Sequence, residues 1–280
     1  MDAVDYLVPA DVAAAVEMRA AGCAVLAGGT DLYPQHVGRM MTQPMIDIGG
    51  LSELRGIAET PDAYRIGALT RWADVAAAAL PGCLDGLRAA ATEVGGVQVQ
   101  NSGTVGGNLC NASPAADGIP PLLSLDASVE LTSVAGNRVL PLEAFLTGYR
   151  QTALRSDELL TAVLIPRGVE EARSAFLKLG LRRYLVISVV MVAVVVAVDP
   201  DGRVAEVRVA VGACSPVAQR LRSLESHLIG RSTDRVDTAM IAEHLSTLSP
   251  IDDVRATAEY RREAASVLVR RALESCGGGR

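Results

Sequence analysis

The chain has 280 residues, half of them hydrophobic and 3% aromatic, and a formal net charge of -6. That is enough apolar material for one or two packed domains. An acidic chain with no lysine–arginine block and few aromatic rings excludes a phosphate-backbone reader and a base-stacking platform.

Its five cysteines, Cys23, Cys83, Cys110, Cys214 and Cys276, are odd in number and form no CxxC pair. They make neither a disulfide framework nor a zinc or iron–sulfur ligand set. A cytoplasmic setting is the expectation, since the acidic start Met1-Asp2-Ala3-Val4-Asp5-Tyr6 lacks the basic and apolar regions of a signal peptide. The longest apolar run, 185–198, falls short of the roughly 20 residues a membrane helix needs. Its β-branched residues predict a buried strand.

In chain order, residues 11–21 predict a helix with Val12, Ala15, Val16 and Met18 inward. Residues 23–27 predict a strand, followed at once by the loop Ala27-Gly28-Gly29-Thr30-Asp31-Leu32. Thr30 or Asp31 is expected to cap a helix running to Met41, with Pro34 in its first turn. Residues 45–48 predict a strand beside the first. Residues 56–59 and 64–68, split by Pro61-Asp62, form a hairpin signal. Residues 71–80 and 84–93 predict helices divided by Pro81-Gly82. A second glycine-rich segment, Thr104-Val105-Gly106-Gly107-Asn108-Leu109, runs on to Ser113-Pro114-Ala115-Ala116-Asp117. The sequence before it also reads as β-like. Residues 128–132 and 138–142 form a hairpin about Ala135-Gly136-Asn137, and 159–165 is a strand stopped by Pro166.

Pro166-Arg167-Gly168-Val169-Glu170-Glu171 is the expected domain boundary. Three strands (174–179, 187–198 and 203–211) and three helices (219–229, 238–245 and 256–273) follow. The tail from Gly277 is expected to fray.

Each glycine-rich loop pairs Gly-Gly with hydroxyl or amide side chains. Glycine allows positive φ and close approach to a ligand. Successive backbone N–H groups in such a turn cradle anions. Two cradles suit two linked phosphates, as in a dinucleotide. Neither loop fits the G-x-G-x-x-G nicotinamide fingerprint.

The chain resembles the FAD-binding medium subunit of molybdenum hydroxylases, the group of xanthine dehydrogenase and aerobic carbon monoxide dehydrogenase. The matching segments are residues 27–32, residues 104–117, Glu158-Leu159-Leu160 to Ile165-Pro166, Phe176 and Lys178 with Arg182-Arg183, and Asp253 and Arg255 with Tyr260-Arg261-Arg262. The resemblance implies an α+β fold: a vanillyl-alcohol-oxidase-type (PCMH) FAD-binding domain over 1–168, with two α/β subdomains (about 1–55 and 56–168). A smaller domain over 172–276 would follow, with a three-stranded antiparallel sheet and a helix bundle.

It further implies that Val25, Leu26, Ala27, Gly28, Gly29, Thr30, Asp31 and Leu32 wrap the pyrophosphate. Thr104, Gly106, Gly107 and Asn108 would lie on its other side. Ser113 belongs to the same binding set, and Asp117 would bond the ribose or adenine end. Leu160 would pack on the cofactor, with Val94 and Lys178 near the flavin ring. No catalytic or metal-binding residue is expected. The implied function is electron transfer from a partner's iron–sulfur clusters via FAD to an external acceptor. Partners would be a large subunit with molybdenum–molybdopterin dinucleotide and a small one with two two-iron clusters, as a dimer of heterotrimers. A stand-alone flavin oxidase or reductase of the same fold, or a scaffold without FAD, remain the alternatives.

In this chain no acid follows Arg182-Arg183, and Tyr184 is a candidate to face the flavin instead. Cys110 reads as a small filler, His36 as a helix-surface residue and Trp72 as a packing residue.

Overall fold

The computed structural model describes residues 5–39, 41–183, 185–233 and 236–277. Tyr184, Met40 and the tail beyond Gly277 lie outside them. The chain opens with β1 (Tyr6–Leu7), α1 (Val12–Ala20), β2 (Ala24–Leu26), α2 (Leu32–Gln35) and β3 (Met45–Asp47). Asp11 starts α1 by accepting the Ala14 N–H at 2.8 Å, satisfying one orphan donor of the first turn. The three strands form a parallel sheet in the order β1-β3-β2. Ala15, Val16, Ile46 and Ile48 fill the core beneath it.

Helix α2 corrects the expectation of a run to Met41. It ends at Gln35, His36 is its C-cap, and Asp31 makes no side-chain cap bond. An uncapped start and Gly38 at φ +71° leave little to propagate the helix.

The next section holds β4 (Ile57–Glu59), β5 (Ala63–Gly67), α3 (Trp72–Ala77), α4 (Asp85–Glu93), α5 (Val97–Gln100), α6 (Val105–Asn111) and α7 (Ile119–Ser124). It continues through β6 (Ser128–Ser133), β7 (Gly136–Pro141), α8 (Leu142–Phe145), β8 (Leu146–Gly148), β9 (Gln151–Thr152) and β10 (Leu159–Pro166). Five of its strands form an antiparallel sheet in the order β4-β5-β10-β6-β7, while β8 pairs only with β9. The central strand β10 is buried along nearly its whole length. The segment before the second glycine pair is the helical turn α5, not a strand, and Gly106 and Gly107 lie in the first turn of α6. Val97 and Val99 alternate as a strand would, but a four-residue run is too short for its period to choose between strand and helical turn.

The last section contains β11 (Arg173–Leu179), β12 (Val190–Val198), β13 (Val204–Gly212), β14 (Gln219–Arg220), α9 (Arg222–Leu228), α10 (Thr238–Glu243) and α11 (Ala258–Gly277). The three expected strands are antiparallel neighbours, and β14 adds a two-residue fourth, so the first residues of the expected 219–229 helix are strand. Among the described residues no helix is long and apolar enough to cross a membrane.

Strand β12 explains the apolar run from Val190 onward; the expected strand starts three residues later than 187, and Leu185 and Ile187 ahead of it are exposed. Side chains alternate between faces, and both faces are buried. Val190, Val192, Val194 and Val196 pack with residues of α9, α10 and α11. Met191 and Ala193 pack with Ala90 of α4, and Val195 joins the core of the preceding section. Gly86 lets α4 approach closely, since a Cβ there would meet the Ala175 backbone at 3.2 Å.

Ion pairs tie the same junction. Arg220, with a side chain only 4% exposed, reaches Asp126 at 2.6 Å and Glu225 at 2.6 Å. It also donates to the Leu123 carbonyl at 3.2 Å. Arg220→Ala is expected to destabilise the chain by about 3 kcal/mol, because Glu225 is left buried with its charge unmatched. Urea denaturation of the variant beside wild type measures the loss.

Candidate functional site

A cavity of about 410 Å³ opens between the parallel sheet, the second glycine segment and the start of β10. Its size suits a small-molecule or cofactor site.

The first glycine loop forms one wall because of two backbone requirements. A Cβ on Gly28 would stand 2.0 Å from the Ser102 carbonyl oxygen, so only glycine lets the two loops touch backbone to backbone. Gly29 takes φ +69°, and a Cβ there would also strike the Tyr33 ring at 2.5 Å. Among the described residues, the N–H groups of Gly28, Gly29 and Thr30 meet no acceptor. Three consecutive free donors beside a cavity form a site for an anion.

The second segment behaves differently. Val105 N–H donates to the Thr70 carbonyl at 2.9 Å and Gly106 N–H to the Ala68 carbonyl at 2.8 Å. Gly107 N–H is taken by the Thr104 hydroxyl at 3.1 Å. The expectation of two amide cradles is therefore corrected to one. The second segment supplies shape and a side chain instead. A Cβ on Gly107 would meet only Thr104 Oγ1, at 2.9 Å. Asn108 Oδ1 is buried without a hydrogen-bond partner. A buried amide oxygen left alone is destabilising unless a bound group satisfies it.

Val25, Ala27, Gly28, Gly29, Thr30, Asp31, Leu32, Val94, Thr104, Gly106, Gly107, Asn108 and Leu160 all line the cavity. Leu26 is buried and does not line the cavity, and Ser113 caps its own turn by accepting the Ala115 N–H at 3.3 Å. Asp117 and Lys178, expected at separate parts of the cofactor, pair with each other at 2.7 Å behind the wall. Ser188 donates its hydroxyl to Asp117 at 2.8 Å. Burial pushes the Asp117 carboxyl up, while Lys178 and Ser188 pull it back. Lys178 also donates to the Glu93 carbonyl at 3.0 Å, which fixes the backbone next to Val94.

Sequence reading misses several lining residues, among them Arg19, Trp72, Gln43 and Glu158. Only Glu158 carries a signal, as the first residue of the Glu-Leu-Leu match. Cys110 is exposed and lines the cavity. His36 bonds its Nδ1 to the Leu32 carbonyl at 2.8 Å at the end of α2.

Glu158 is buried at the wall and gripped by Arg138 at 2.6 and 2.9 Å. It also accepts the Arg155 N–H at 2.8 Å. Arg138 holds its carboxyl below the ordinary value of 4.5 despite the burial.

A nest of free N–H groups, an orphaned amide and an apolar wall of Val94 and Leu160 fit a flavin dinucleotide. The small parallel sheet, the antiparallel sheet and the following α+β section place the protein in the class of FAD-binding oxidoreductase subunits. The family described as "FAD binding domain in molybdopterin dehydrogenase" matches residues 2–168, and "CO dehydrogenase flavoprotein C-terminal domain" matches residues 175–276. The chain belongs to this family of FAD-binding medium subunits of molybdenum hydroxylases.

The xanthine dehydrogenase FAD-binding subunit of Escherichia coli O157:H7 is 32% identical, covering 89% of this chain and 87% of that relative. The nicotine 6-hydroxylase medium subunit of Paenarthrobacter nicotinovorans is 31% identical, covering 99% and 98%. The solved structure of reconstituted CO dehydrogenase from Oligotropha carboxidovorans superposes with a TM-score of 0.92 at 26% identity, covering 99% of this chain and 98% of that one.

Two glycines separate fold from binding. Gly107→Val is expected to lower the apo-chain melting temperature slightly, as its Cβ presses on Thr104 Oγ1, and to lose FAD, because its side chain enters the cavity. Gly28→Ala is expected to lower both, because it forces the two loops apart. Flavin absorbance and thermal melts of the two variants make the comparison.

Glu158 gives a pH test. Its folded pKa is lowered, so its stabilisation is complete above 4.5 and fades as the pH falls through the folded value. Glu158→Gln is expected to melt earlier at neutral pH, and the gap from wild type should narrow below 4.5. Melting temperatures across that range decide it.

Proposed function

We propose that this chain is the electron-output subunit of a three-chain molybdenum hydroxylase. A large partner carrying molybdenum–molybdopterin dinucleotide would oxidise the organic substrate. A small partner with two two-iron clusters would relay electrons to this chain, and an external acceptor would take them. The assembly would be a dimer of such heterotrimers in the cytoplasm. Bound FAD supplies a ring able to take electrons singly and release them singly or in pairs.

The observation that carries the reading is the run of unpaired N–H groups from Gly28 to Thr30 beside the cavity. These donors hold the diphosphate. Asn108 contributes its side-chain amide across the cavity, and Gly107 leaves room for the ligand. Val94 and Leu160 present apolar surface to the ring. Lys178 and Asp117, from behind the wall, fix the backbone at Glu93 and thereby the position of Val94. Glu158, held as an anion by Arg138, serves the architecture and does not move protons.

Relatives support the partner reading by their own descriptions as medium subunits and FAD-binding subunits. Co-expression with the chains encoded beside this one tests it. One FAD per copy of this chain is expected, together with flavin bleaching when the partner's substrate is added without oxygen. A yellow chain that turns over a substrate alone would favour the self-contained oxidase, and a colourless complex would favour the scaffold.

A further inference from the structure

The last section of the chain builds a three-residue clamp away from the cavity. One oxygen of Asp253 accepts from Arg255 Nε at 3.0 Å and Nη2 at 2.6 Å, and the other accepts from Arg261 Nη2 at 2.7 Å. The Arg261 side chain is only 1% exposed, and a guanidinium so buried needs a matched charge. Arg255 holds the Asp253 carboxyl below the ordinary carboxylate range, so the carboxyl stays charged. Both arginines also donate to backbone carbonyls. Arg255 reaches Ser188 at 3.0 Å, and Arg261 reaches Val189 at 2.6 Å and Ala213 at 3.3 Å. One carboxylate thus fixes three carbonyls, just before β12 and just after β13.

Those same residues touch the second glycine segment twice. Ser188, fully buried, donates its hydroxyl to Asp117 Oδ1 at 2.8 Å. Ala213 donates its N–H to the Pro114 carbonyl at 2.9 Å. It does so at φ +62°, a left-handed conformation uncommon for alanine that persists where surrounding bonds impose it. Asp117 Oδ2 in turn takes Lys178 at 2.7 Å, and Lys178 holds the Glu93 carbonyl at 3.0 Å beside Val94, a residue of the cavity wall. Hydrogen bonds therefore run without a break from Asp253 through Arg255, Ser188, Asp117 and Lys178 to the backbone next to Val94.

We propose that Ser188 is a positioning residue for the flavin end of the site: seated by the clamp of Asp253, Arg255 and Arg261, it orients Asp117 and with it the Lys178 grip that sets Val94. The proposal rests on the FAD reading above and gives the clamp a part in cofactor binding besides packing. It concerns the ring and not the diphosphate, whose donors lie on the Gly28 to Thr30 loop. Burial pushes the Asp117 carboxyl up, Lys178 and Ser188 pull it down, and the Glu93 carboxylate pushes it up. Without the Ser188 hydroxyl, Asp117 takes a proton at a higher pH and then no longer pairs with Lys178 as an ion.

The test is equilibrium binding of FAD, FMN and ADP to the apo-chain across a range of pH, with thermal melts of every variant as the control. FMN carries the ring, and ADP carries the diphosphate without it. Ser188→Ala is expected to weaken FAD and FMN about fivefold at neutral pH, the size of one lost hydrogen bond. ADP affinity should hold. The pH below which FMN affinity falls should move up from that of wild type. Ser188→Thr keeps the hydroxyl and should restore both. In an Asp117→Asn background nothing at that position titrates, so Ser188→Ala should leave the pH profile unmoved.

Should Ser188→Ala fail to fold, Arg255→Gln takes its place. It frees the Ser188 carbonyl while Arg261 keeps Asp253 paired, and it is expected to give the same loss of FMN without loss of ADP. Equal losses for FMN and ADP mark general loosening and overturn the proposal. Unchanged FMN affinity with an unchanged pH profile also overturns it, and both results leave the FAD reading standing. A wild-type chain that takes up no FAD overturns the reading and the proposal together.

Discussion

The contact on which the site depends is the approach of Gly28 to the backbone at Ser102. It is a steric constraint before it is a chemical one. Two segments far apart in sequence come close enough that no side chain fits between them. That approach leaves the first loop's amides beside shared space and without acceptors, the condition that suits them to a diphosphate. The second segment has its own amides occupied by Ala68, Thr70 and Thr104, and so it acts as a shaped wall.

The rest of the molecule holds that approach in place. The antiparallel sheet fixes the Ala68 and Thr70 carbonyls that pin α6. Arg138 fixes Glu158 and the entry to β10. Lys178, from the last section of the chain, reaches back to the Glu93 carbonyl beside the cavity wall. Electrostatic pairs and strand burial therefore converge on one cleft from three sections of sequence.

Much of this is legible in the residues. The turn Ala135-Gly136-Asn137 marks the hairpin of β6 and β7, of which β6 buries Val129 and Leu131 while β7 only half-buries Leu140, and the β-branched run up to Val198 marks a strand buried on both faces. The glycine pairs mark the cleft because positive φ and close approach leave few other residues possible. What escapes is of two kinds. Short elements such as α2, α5 and β14 have too few residues for a period to show, and their state is set by packing. Residues such as Trp72 and Arg19 enter the cavity only through tertiary placement. The pairing of Asp117 with Lys178 is hidden for the same reason: 61 positions separate them, and no local pattern links them.

Strand β12 carries one more implication. Its odd-numbered side chains are the roof over Ala90 and the neighbouring core of the flavin section. A fragment cut after the first family match would present that surface bare to water, and self-association would be its natural remedy. The two sections are thus thermodynamically interdependent, and shuffling the trailing module between relatives would demand that the inward-facing residues travel with it.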